Sequence, residues 1–158
     1  MGDAARHDLG LGDGELTLLL ASGETTVSLS EDRSVLVFKR GDRVLLSLGL
    51  ADVQFGVLPA LDPEINYDPY YFFTDNPTGR PPEIRWASGT LSEVETADNG
   101  VRLNLDLGDD GDATLSFVAG DTGRLTARLM PPATLTVAYM WLKPKANETE
   151  GLYGLGEV

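Results

Sequence analysis

"DNGVRLNLDLGDDGDATLSFVA", residues 98–119, alternates apolar and polar side chains on either side of a glycine-rich turn. Val101, Leu103, Leu105 and Leu107 fall on one face of an extended chain, and Arg102, Asn104 and Asp106 fall on the other. A period of two with one apolar face is the pattern of a half-buried antiparallel strand. Asn99-Gly100 and Asp110-Gly111 stand where tight hairpin turns call for positive φ, so the stretch predicts two strands folded back on each other.

The same pattern extends in both directions. "TLSEVETA" precedes the first turn, and "GDTG" separates the hairpin from "RLTARLM" and "ATLTVAYMWL". Nearer the start, "ELTLLLAS", "TTVSLS" and "SVLVFKR" lead through the turn "RGDR" into "VLLSLGL". No segment combines helical periodicity with caps. Many short strands joined by tight turns imply an all-β fold, an antiparallel β-sandwich formed by residues 15–158 after an unstructured start at 1–14. Its two layers are expected to bury the Leu and Val positions with Phe38, Phe117, Tyr139 and Trp141. No repeat of propeller or solenoid length is present.

With 25 acidic against 12 basic residues, the net charge of −13 repels nucleic-acid backbones and anionic lipid, so neither is expected as a partner. No apolar run reaches the roughly 20 residues of a membrane-spanning helix. The opening residues lack the basic-then-apolar order of a signal peptide, which leaves cytoplasmic and extracytoplasmic placement both open. Cysteine is absent and His7 is the lone histidine, which excludes disulfides, thiolate metal sites and histidine-based triads. A calcium loop at "DPEIN" fails because Tyr67 and Phe73 occupy the positions of the turn glycine and the bidentate glutamate. No metal or cofactor is therefore expected.

Residues 59–86, "PALDPEINYDPYYFFTDNPTGRPPEIRW", break the alternation. Prolines at 59, 63, 69, 77, 81 and 82 forbid a central strand through most of this loop. Its tyrosines stand beside carboxylates, a combination that suits a carbohydrate: rings cover the apolar faces of a sugar while carboxylates accept its hydroxyl hydrogens. Tyr67, Asp68, Tyr70 and Tyr71 are the candidate sugar contacts, and the alternative is that the rings anchor the loop to the sandwich.

The closing "GLYGLGE", residues 151–157, resembles the "YGLGE" signature of glycoside hydrolase family 31, the α-glucosidase and α-xylosidase family. "VSLSEDRSVLVFKRGDRVLLS" is similar to paired strands of that family's N-terminal domain, and "RLTARLMPPATLTVAYMWL" resembles the strands leading into the signature. The resemblance covers residues 24–158 and implies a galactose mutarotase-like sandwich cut at its junction with a catalytic (β/α)8 barrel. Family members cleave α-glycosidic bonds with two barrel aspartates, in motifs such as "W-x-D-M-N-E", so no residue of this chain is expected to carry catalysis. Tyr153, Gly154, Leu155, Gly156 and Glu157 are then domain-junction residues, and the implied partners are the barrel and a di- or oligosaccharide with α-linkages. An autonomous carbohydrate-binding module and a purely structural sandwich are the competing readings.

Overall fold

The computed structural model describes residues 14–58 and 84–146, and it is built of antiparallel sheets. The candidate sugar contacts Tyr67, Asp68, Tyr70 and Tyr71 and the junction residues Tyr153 to Glu157 lie outside the described residues.

Four N-terminal strands, β1 (Thr17–Ser22), β2 (Thr25–Leu29), β3 (Val35–Arg40) and β4 (Arg43–Gly49), pair in sequence as successive hairpins. After them come β5 (Val53–Val57), β6 (Arg85–Ala87), β7 (Thr90–Ala97), β8 (Gly100–Asp106), β9 (Asp112–Ala119), β10 (Leu125–Met130), β11 (Val137–Leu142) and β12 (Lys145–Ala146). One sheet has the order β1-β2-β3-β4-β12, a second β10-β9-β8-β7, and a third β11-β5-β6.

The β8–β9 hairpin behaves as its pattern predicts. Val101 pairs with Phe117, Leu103 with Leu115 and Leu105 with Ala113 in unbroken register, and all six are buried. Val27, Leu29, Leu36 and Leu48 of the first sheet and Val53, Phe55, Val57 and Ala87 of the third join them in one continuous core. Full burial of side chains of this size contributes about 1.5–3 kcal/mol each, which makes this contact between sheets the main source of stability. Phe38 meets Phe117 edge-on across the layers, with ring centroids 5.4 Å apart.

Of the two expected positive-φ turns, one forms as predicted. Gly111 has φ 93°, whereas neither Asn99 nor Gly100 enters the left-handed region. Glycine serves at position 100 for another reason: a Cβ there would lie 3.2 Å from the Phe117 carbonyl oxygen. Close approach of β9 selects this glycine, not the turn conformation.

Two further expectations are corrected. The long loop does not run to residue 86, because Arg85 and Trp86 belong to β6, paired with Val57 and Gly56. Tyr139 and Trp141 are not between the layers but 36 % and 48 % exposed. The cause is a register shift between Val137 and Tyr139 in the pairing of β11 with β5. One extra residue in a strand moves every later side chain to the opposite face. Val137 still packs against the core; Tyr139 and Trp141 are turned away from it.

Candidate carbohydrate-binding platform

The bulge in β11 creates a surface feature. Val53, Phe55 and Val57 point from the central strand β5 into the core, so Gln54 and Gly56 face the other way. Gly56 is flanked by Trp86 on β6 and Tyr139 on β11, and Gln54 is opposite Trp141. Cross-strand partners share a face, which places Trp86, Tyr139 and Trp141 together on the outside of the three-stranded sheet. A Cβ on Gly56 would lie 3.1 Å from Ile84 Cγ2 and 3.3 Å from the Tyr139 ring, so the bare glycine lets the neighbouring side chains close over the strand.

The rings touch one another. Trp86 and Tyr139 are nearly parallel, with centroids 6.4 Å apart and planes inclined by 28°. Trp86 and Trp141 are 5.4 Å apart and tilted by 58°. Lys143 Nζ sits 4.0 Å from the centre of the Trp141 ring, where the cation is attracted to the π face and fixes the indole. Trp86 is 45 % exposed, so both indoles offer open surface to a ligand. The mutual contacts hold the rings in place before anything binds, which lowers the entropy lost on binding.

Arg85, next to Trp86, is held from outside the platform. Its Nη1 and Nη2 each donate a 2.7 Å hydrogen bond to the two carboxylate oxygens of Asp110, in the turn between β8 and β9. This fork ties the short strand β6 to the neighbouring sheet. Hydrogen bonding by Arg85 lowers the Asp110 pKa from the ordinary carboxylate value, and the same pairing raises that of the guanidinium.

Noncovalent recognition is what these side chains offer. Flat aromatic faces cover apolar ring surfaces, while Gln54, Lys143 and the Tyr139 hydroxyl supply polar groups at their margin. Among the described residues no group of three or more His, Asp or Glu side chains is placed to hold a metal ion. Sequence reasoning assigned Tyr139 and Trp141 to the core and left Trp86 as the last residue of a loop. The available signal was "AYMWLK", where Tyr139, Trp141 and Lys143 alternate, but alternation alone does not say which face is covered. Comparison with known protein families, curated proteins and solved structures finds nothing that matches this chain.

Proposed function

We propose that this chain is the non-catalytic, galactose mutarotase-like N-terminal sandwich of a glycoside hydrolase family 31 enzyme. In this reading it supports the catalytic barrel and presents α-linked sugar to it. The aromatic platform of Trp86, Tyr139 and Trp141 carries the carbohydrate part of the proposal. Its position in the chain supports the family part. β5 and β6 bracket the Tyr- and Pro-rich segment in sequence, and β11 precedes the signature-like residues 151–157. Substrate-facing rings and junction residues thus fall on adjoining stretches of one polypeptide.

Titration with maltose and isomaltose, followed by tryptophan fluorescence, tests the platform. The expected affinity is on the order of millimolar, because one open surface without a facing wall recovers little of the entropy of association. Trp86→Ala and Trp141→Ala should each weaken binding by about tenfold, corresponding to roughly 1.4 kcal/mol. Wild-type affinity in both variants, or no saturable binding of either sugar, removes carbohydrate recognition by these rings.

A further inference from the structure

A second concavity lies away from the platform, where the β2–β3 turn, the end of β4 and the start of β7 meet. Its volume is about 450 Å³, within the roughly 300–1,000 Å³ of small-molecule sites. Val35, Leu50 and Leu91 give it apolar walls, and Arg33 and Lys145 line it together with the carboxylates of Asp32 and Asp52. Neither cation makes an ion pair among the described residues. In a chain with 12 basic residues against 25 acidic ones, two such cations in one cleft stand out.

The backbone adds an independent observation. Arg33 has φ 61°, a left-handed conformation that costs an ordinary side chain energy and glycine almost none. The turn enforces it. Asp32 Oδ1 accepts hydrogen bonds from the hydroxyls of Ser30 and Ser34, each 2.7 Å, and from the Ser34 N–H at 3.1 Å. The Leu50 N–H donates to the Ser34 carbonyl at 2.8 Å, which fastens the turn to the end of β4. A glycine would fit the backbone better than arginine does, so a reason for arginine is sought in what its guanidinium binds.

We propose that this cleft binds an acidic sugar, a single pyranose ring bearing a carboxylate, with Arg33 and Lys145 holding the carboxylate. Guanidinium pairs with carboxylate in a planar fork, and lysine adds a point charge. The apolar walls suit the C–H face of the ring. Asp52, also in the cleft, accepts ring hydroxyls and works against more highly charged phosphate. The inference is independent of the platform and of the family resemblance.

NMR titration of the whole chain with glucuronate, glucose and inorganic phosphate tests it. Glucuronate is expected to shift amides at 30–34, 49–52 and 89–91 and to bind at least about tenfold more tightly than glucose or phosphate. Arg33→Gly and Lys145→Ala should each weaken glucuronate by at least about tenfold, whereas Arg33→Lys, which keeps the charge, should weaken it less. The melting temperature of Arg33→Gly should be unchanged or higher, since the strained φ is relieved. Equal affinity for glucose and glucuronate, tighter phosphate, undiminished binding by Arg33→Gly or its lowered melting temperature would each overturn the assignment. So would the absence of glucuronate binding at millimolar concentration, or shifts confined to the platform strands.

Discussion

β8 and β11 carry the same written pattern, and only β8 buries the apolar half of it; in β11 Met140 and Leu142 are exposed as well as Tyr139 and Trp141. In β8 the register against β9 is continuous from Gly100 to Asp106, and Leu103 and Leu105 are completely buried. In β11 the pattern Val137, Tyr139, Trp141 is just as regular, yet the pairing with β5 slips after Val137 and the two rings emerge on the surface. The difference is not hydrophobicity. It is one residue of register, which in a structure of period two decides which face of the sheet a side chain joins. β11 thereby converts what reads as core sequence into an exposed aromatic face, and the bulge is the device that does it.

Insertion of one alanine between Leu103 and Asn104 is the severest way to break this comparison. Pairing continued against β9 would then turn Asn104 and Asp106 towards the core and Leu105 out of it. Loss of a leucine side chain from the core costs about 2–5 kcal/mol, and burial of an unpaired carboxylate adds to it. The expected outcome is loss of cooperative unfolding in a urea titration. An insertion variant as stable as wild type would show that one residue of register does not decide which face of the strand is buried.

Next in size is a pair of truncations on opposite faces of the same sheet. Phe55→Ala removes a ring with no exposed surface and should cost about 3–5 kcal/mol. Trp141→Ala removes a larger ring that is 48 % exposed and should cost about 1 kcal/mol or less, while reducing sugar affinity. Comparable losses of stability from the two substitutions would make the platform a structural cluster.

Most of the fold was legible because its hairpins agree at every level: β8 and β9 have alternation, turn residues and uninterrupted pairing together. β5 escaped because "VQFGV" is short, contains Gly56 and runs straight into the first proline of the long loop. β12 has two residues, too few to show any period. The platform was illegible for a different reason. Tyr139 and Trp141 were visible as one face of a strand, but the slip that exposes that face depends on a partner strand that had not been read.

The smallest effect concerns the fork that holds β6. The Arg85–Asp110 pair bridges two sheets, and Arg85 keeps Asp110 ionised below the ordinary carboxylate range. A carboxylate with a lowered folded-state pKa binds protons more readily when unfolded. Its contribution to stability is complete above the unfolded pKa, near 3.8, and is lost as pH falls through the lower folded value. Stability measured from pH 7 down to pH 2 should therefore fall more in wild type than in Asp110→Asn, with the excess confined to the range below about pH 4. Asp32 titrates in the same direction, because Ser30 and Ser34 lower its pKa, but it is present in both proteins and cancels in the difference. Arg85 is 57 % exposed, so salt should shrink the difference by screening the pair. Superposable pH profiles would mean that the fork adds nothing to the attachment of β6, and that Trp86 owes its place to Gly56 and the neighbouring rings alone.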